Sequence, residues 1–207
     1  MLDTELIQAR RDAGQRLMIV LHGLGDSMEG FRWLPEGLQL PWLNYLLVNA
    51  PDQYYGGFAW YDLYQDSGAG IERSRRLLFE LLDSTRKKGF PTEQTMVLGF
   101  SQGCLMALEI GARYPHRLAG IIGISGYANE PEKLALEFSP QAREQRFLVT
   151  HGTEDPLIPI EKVRPQIELL KSAGLRIQWH EFMKPHTIAG EQELAVIRDF
   201  VQECYVS

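Results

Sequence analysis

Apolar residues along this chain of 207 residues gather into two kinds of segment that take turns. The first kind is a short continuous run: Leu17-Met18-Ile19-Val20-Leu21, then residues 95–100, 119–125 and 147–151. Runs of this length, rich in Ile, Val and Leu and without polar alternation, suit strands buried on both faces, as a parallel sheet requires. Residues 45–49, closed by Ala50-Pro51-Asp52, and residues 175–182 read as two more strands, and residues 4–10 as a short edge strand.

The second kind has helical spacing. Over residues 71–88, Ile71, Leu78, Leu81 and Leu82 share one face while charges cover the other, and Gly89 supplies the stop. Residues 102–114 are apolar almost all round, at Leu105, Met106, Ala107, Leu108 and Ile110, which predicts the most buried helix, ended before Pro115. Residues 161–172, stopped by Gly174, and residues 191–204, with Leu194, Ile197, Val201 and Cys204 facing inward, complete the set. A further helical pattern over residues 28–38 is shortened or broken by Pro35 and Gly37. Strand and helix thus alternate over nearly the whole length. That is the pattern of an α/β fold with a mostly parallel, doubly wound sheet, helices on both faces and sites at the carboxyl ends of the strands.

Two stretches stand apart. Residues 50–70 form a loop carrying Tyr54, Tyr55, Phe58, Trp60, Tyr61 and Tyr64, whose rings either roof the core or line a substrate cleft. Trp60 and Tyr61 are its candidates for substrate binding. Residues 126–146 are irregular and charged, and too short for a large lid domain, so any lid is minimal.

Composition narrows the field. With 44% hydrophobic residues the chain suits one domain, residues 1–207, able to bury a substantial core. The net charge of −6 argues against a nucleic-acid partner, and Arg73, Arg75, Arg76, Arg86, Lys87 and Lys88 are interleaved with Glu72, Glu80 and Asp83 as on a solvated helix face. The two cysteines, Cys104 and Cys204, lie far apart without metal or redox spacing, and Cys104 falls in the apolar helix as a small buried residue. An acidic start instead of a basic, apolar leader, and no apolar run of membrane-spanning length, lead to the expectation of a cytoplasmic protein with no stable membrane insertion.

Chemistry enters at Gly99-Phe100-Ser101-Gln102-Gly103, where a predicted strand gives way to a predicted helix. Gly-x-Ser-x-Gly at such a junction resembles the nucleophile elbow of the α/β hydrolases, in which glycines let the two backbones close on a serine held out for reaction. A serine hydroxyl needs a base to take its proton and a third group to orient that base, and in this fold class the chain order is Ser, then Asp or Glu, then His. Of His116, His151, His180 and His186, only His186 lies in a loop between the final strand and the final helix. Asp155, in Gly152-Thr153-Glu154-Asp155-Pro156 after the strand at 147–151, is the favoured acid, with Glu154 as its rival. An oxyanion hole needs two backbone N–H groups. Gln102, next to the serine, offers one, and Leu24 in His22-Gly23-Leu24-Gly25 the other, with His22 buttressing the loop.

Taken together, His22-Gly23-Leu24-Gly25-Asp26, Trp60-Tyr61-Asp62, Lys88-Gly89-Phe90-Pro91, Gly99-Phe100-Ser101-Gln102-Gly103, Asp155 and His186 resemble the phospholipase/carboxylesterase family, over nearly the whole chain from about Leu17. The family includes bacterial carboxylesterases and acyl-protein thioesterases. The resemblance implies an α/β-hydrolase fold and a Ser101-His186-Asp155 triad with Leu24 and Gln102 as oxyanion donors. It further implies no metal or organic cofactor, a small-molecule or acyl-chain ester or thioester substrate, and a homodimer as an open possibility. The chain departs from the family where Pro185 stands before His186 in place of the usual glycine, and where a short N-terminal stretch leaves little room for leading strands. The competing readings are a hydrolase-fold binding module that does not turn over, and a peptidase or amidase using the same triad. Acyl-protein thioesterase, lysophospholipase and short-chain esterase activities all remain open.

Overall fold

Successive side chains of the apolar runs leave to opposite faces of one sheet, and both faces are covered, so nearly every position along them is apolar. The computed structural model describes residues 2–11 and 14–206. Its strands are β1 (Thr4–Ile7), β2 (Leu17–Leu21), β3 (Asn44–Val48), β4 (Asp52–Tyr54), β5 (Gly57–Ala59), β6 (Thr95–Phe100), β7 (Gly120–Ile124), β8 (Arg146–Gly152) and β9 (Arg176–Phe182). The helices are α1 (Leu34–Leu38), α2 (Ser67–Lys87), α3 (Gln102–Arg113), α4 (Pro131–Leu136), α5 (Ile160–Ser172) and α6 (Gly190–Val206). Seven strands form the main sheet in the order β1-β3-β2-β6-β7-β8-β9. All pairs are parallel except β1 with β3, where Thr4 faces Val48 in an antiparallel edge.

The two faces carry separate cores. Leu17, Ile19, Leu21, Val97, Ile121, Phe147 and Val149 pack with residues of α2, α3 and α5 on one side. Met18, Val20, Met96, Leu98, Ile122 and Leu148 pack with Leu34, Leu38, Leu194, Ile197, Phe200 and Val201 of α1 and α6 on the other. In α3 every residue from Gln102 to Ala112 is buried, as its all-round apolar pattern demanded. The charged exception, Glu109, is met by Arg75 at 3.1 Å and Arg113 at 2.5 Å.

The chain leaves β2 toward β3 on one side and enters β6 on the other, so β2 and β6 are neighbours whose following loops diverge. A crevice opens at their carboxyl ends, where such sheets place ligands. Closing that crevice from below, Gly99 and Gly103 let α3 approach the strands: a Cβ on Gly99 would strike the Gly103 carbonyl, and one on Gly103 the carbonyls of Leu21 and His22.

Some expectations needed revision. Residues 50–70 are not a plain loop, for β4 and β5 pair as a hairpin across Tyr55-Gly56, both at positive φ (43° and 91°). Three-residue strands carry too little periodicity to be read. Asp66 caps α2 by accepting from the Ala69 N–H at 3.0 Å, so the helix begins at Ser67 and not at residue 71. The pattern at 28–38 breaks into a 3-10 turn, Met28–Phe31, and the five residues of α1, with Pro35 in the first turn of the latter. The irregular stretch 126–146 contains α4, opened by Pro131. One antiparallel strand, β1, leads the sheet.

Replacing Gly103 by alanine should cost about 2–3 kcal/mol or more, because backbone and not a movable side chain must give way. Urea unfolding of G103A checks this, and a midpoint equal to that of the parent protein would mean that α3 can lift off β2 without strain.

Candidate active site

Ser101 follows β6 and caps α3 with φ 55° and ψ −116°, a conformation that L residues rarely adopt and that costs on the order of 1–3 kcal/mol. The strain is held by neighbours on both sides: the Ser101 N–H donates to the Ile124 carbonyl at 2.9 Å, and its carbonyl accepts from Cys104 N–H at 3.0 Å. The side chain of Ser101 meets His186, its Oγ lying 2.9 Å from Nε2. On the far side of the ring Nδ1 lies 2.7 Å from Asp155 Oδ2. A carboxylate has no proton to give, so Nδ1 is the donor there and Nε2 is left to accept from the serine hydroxyl.

Asp155 is almost fully covered, at 6% exposure. Burial alone would push its carboxyl pKa up. The N–H groups of Ile158 and Leu157, donating to Oδ1 at 2.9 and 3.0 Å, together with His186, outweigh that and hold it below the ordinary carboxylate value. Glu154, its rival, is exposed. The other histidines are occupied elsewhere. His116 sits with Arg86 on the surface, His180 is exposed in β9, and burial lowers the pKa of His151, whose Nε2 donates to the Ile158 carbonyl at 2.8 Å. His22 receives the Ala50 N–H on Nε2 at 3.1 Å and gives Nδ1–H to the Gly23 carbonyl at 2.6 Å, which braces the turn after β2. Burial pushes the Cys104 thiol up to about 12, so it stays a thiol.

Leu24 and Gln102 both border the cleft that holds Ser101, and among the described residues neither backbone N–H meets an acceptor. The turn carrying Leu24 is pinned to the β4–β5 hairpin by Gly25 N–H to the Phe58 carbonyl, 2.8 Å, and Phe58 N–H to the Asp26 carbonyl, 2.9 Å. The Gln102 side chain performs a second task that sequence reasoning missed. Its amide accepts from Trp60 N–H and donates to the Tyr61 carbonyl, each at 2.9 Å, and so clamps the loop over the site. Trp60 therefore does not line the cleft as expected. It is wholly buried, with its indole N–H on the His22 carbonyl at 2.9 Å. Tyr61 does border the cleft, with its hydroxyl 3.1 Å from that of Tyr127. The cleft, about 540 Å³, has an apolar wall of Leu63, Phe100, Tyr127, Leu157 and Ile158. The wall draws on residues 50–70 through Tyr61 and Leu63 and on the segment after Ser125 through Tyr127.

A second feature hidden in the sequence holds the His186 loop. Lys184 Nζ lies 2.6 and 2.7 Å from the two carboxylate oxygens of Glu193, and both side chains are buried, at 2% and 0% exposure. Glu193 also accepts the Ala189 N–H at 2.6 Å. One carboxylate thus grips the loop on both sides of His186, which sets the path through Pro185. Burial lowers the Lys184 pKa and Glu193 opposes that. Two further hollows lie at the amino ends of strands, around Tyr45 and around Phe147, and hold none of the candidate residues. Among the described residues no three His, Cys, Asp or Glu side chains converge on a metal position.

The sequence pattern of the phospholipase/carboxylesterase family matches residues 2–205. The chain belongs to that family. Acyl-protein thioesterase 1 of Schizosaccharomyces pombe is 37% identical over 159 residues, covering 69% of each chain. The enzyme of that name from Candida albicans is 27% identical over 219 residues, covering 95% of each. Among solved structures, esterase PE8 superposes with a TM-score of 0.88 at 28% identity, over 98% of this chain and 99% of that one. The Bacillus cereus carboxylesterase shares the fold at a TM-score of 0.84 and 16% identity, over 99% and 95%. The fold is that of the α/β hydrolases, and this family member is an ester or thioester hydrolase. Among the described residues no helix is long and apolar enough to cross a membrane.

Breaking the buried pair by Glu193→Met should cost about 3–5 kcal/mol, while Lys184→Met together with Glu193→Met recovers most of it, since no charge is then stranded. Urea denaturation of the two variants decides this, and equal instability would mean that shape, not charge, holds the loop. For Asp155, a folded-state pKa below the ordinary value means that its stabilisation is complete above the ordinary carboxylate range and drains away as pH falls through the lowered value. Urea midpoints followed from about pH 7 to about pH 3 should therefore fall less steeply for Asp155→Asn than for the parent, and parallel curves would refute the linkage.

Proposed function

We propose that this protein hydrolyses carboxylic esters and thioesters by two-step acyl transfer through Ser101, His186 and Asp155. The observation that carries the reading is the chain of contacts from Ser101 Oγ through both ring nitrogens of His186 to Asp155, at 2.9 and 2.7 Å. Ser101 Oγ attacks the carbonyl carbon as its proton moves to His186 Nε2, and Asp155 steadies the imidazolium from Nδ1. Negative charge then gathers on the carbonyl oxygen, where the Leu24 and Gln102 N–H groups receive it. The N-terminus of α3 adds its positive dipole end at the same place. Collapse breaks the bond to the leaving oxygen or sulfur, which takes the proton back from Nε2 and departs. Water, deprotonated by the same nitrogen, releases the acid and restores the hydroxyl.

The cleft bordered by Leu63, Tyr127, Leu157 and Ile158 suits an apolar acyl chain. The similarity to acyl-protein thioesterase 1 of Schizosaccharomyces pombe favours thioesters within that class. Against a silent binding module stands the completeness of the set: Ser101, His186 and the N–H groups of Leu24 and Gln102 border one cleft, and Asp155 stands behind His186.

Ser101→Ala should remain folded and lose hydrolysis of p-nitrophenyl butyrate by on the order of a thousandfold or more. Turnover by the variant within tenfold of the parent would remove Ser101 from the mechanism, and failure of the parent to react with a fluorophosphonate probe would favour the silent module.

A further inference from the structure

The cleft is only half of the hollow around His186. On the other side of the ring lies a second pocket of about 380 Å³, bordered by Phe31, Trp33, Ile188 and Leu194, with Thr187 at its edge. It shares Asp26, Phe100 and His186 with the cleft, so the two lie side by side along the His186 ring. Neither Ser101, Leu24 nor Gln102 borders it.

That division matters because an ester has two arms of different fate. The carbonyl must sit with its oxygen on the Leu24 and Gln102 N–H groups, which belong to the cleft, and so must the acyl chain that stays on Ser101. The leaving oxygen or sulfur must instead come within reach of His186 Nε2, the only proton source in the relay. The arm attached to it then runs toward the base's own loop, where Thr187 and Ile188 form the wall. Resting on the Ser101-His186 reading, we propose that the pocket of Phe31, Trp33, Ile188 and Leu194 binds the alcohol or thiol arm of the substrate, and that it selects arms that are flat and apolar.

The walls specify that preference. Phe31 and Trp33 lie nearly parallel, at an interplanar angle of 25°, with centroids 6.4 Å apart, and Phe100 faces His186 at 5.1 Å at the junction. Trp33 is 43% exposed, and its outward surface is what an incoming aryl group would cover. Asp26 stands exposed at the junction of the two pockets and repels an anionic arm. Nothing about the aromatic loop at residues 50–70 reports on this side, because the pocket is made by the 3-10 turn after β2, by α6 and by the loop before it.

The experiment holds the acyl group fixed and changes the arm. With ethyl butyrate and benzyl butyrate, the parent protein should show a higher kcat/KM for the benzyl ester, and Trp33→Ala should lower the benzyl-to-ethyl ratio by about five- to tenfold. Trp33 is a surface ring, and thermal unfolding checks that the variant is folded; Ile188→Ser serves as a second substitution in the same wall with the same expected direction. A ratio unchanged within twofold in both folded variants overturns the proposal. So does a change confined to acyl length, read from ethyl acetate against ethyl octanoate, which would make this the acyl pocket. Failure of the Ser101 reading looks different: Ser101→Ala would then hydrolyse every one of these esters as the parent does.

Discussion

The first turn of α3 lies against the carbonyl groups of Leu21 and His22 at a separation that no Cβ tolerates, and the position of the site follows from that contact. Because Gly103 and Gly99 allow the approach, β6 can turn into α3 within one residue. That residue, Ser101, is pressed into a left-handed backbone conformation and presents its hydroxyl to His186. The same closeness places the Gln102 N–H beside the turn after β2, so that two donors from segments far apart in sequence border one cleft. Had the helix stood off by the width of a methyl group, the serine would relax and the Gln102 N–H would be displaced from the cleft.

A different solution holds the other half. His186 sits in a loop, where a backbone corner cannot do the work, and the protein uses charge: Glu193 takes Lys184 on one side of it and the Ala189 N–H on the other. Fully buried ions are costly, and a pair of apolar residues would fill the same space at less expense in desolvation. What the ions supply is direction. A bidentate contact fixes orientation as well as distance, and a loop bearing an unusual proline before the base requires both.

Much of this was legible in the residues. The apolar runs announced β2, β6, β7 and β8 because sheets covered on both faces leave no room for alternation, and Gln102 to Ala112 announced a buried helix for the same reason. Ser101, His186 and Asp155 could be picked out because each follows a strand and the order of types is restricted. The family resemblance, read from linked motifs, agrees with the match over residues 2–205. The hairpin of β4 and β5 escaped notice because three residues hold too little of a period, and Trp60 misled because an aromatic ring in a loop serves a core as readily as a cleft. Lys184 and Glu193 were invisible for a more basic reason: a charged residue read alone is assigned to the surface, and only packing reveals that its partner is nine positions away and covered.

The grip on the His186 loop also ties the site to packing on the far face of the sheet. Glu193 belongs to α6, which is held to the sheet by Leu194, Ile197, Phe200 and Val201 and is the last helix of the fold. Ser101 and the turn with Leu24 come from strands near the middle of the sheet, all of them earlier in the chain. The position of His186 therefore depends on the docking of α6 through Glu193, while the Ser101 corner is set by α3 and the central strands, so loosening α6 would free the one and leave the other in place.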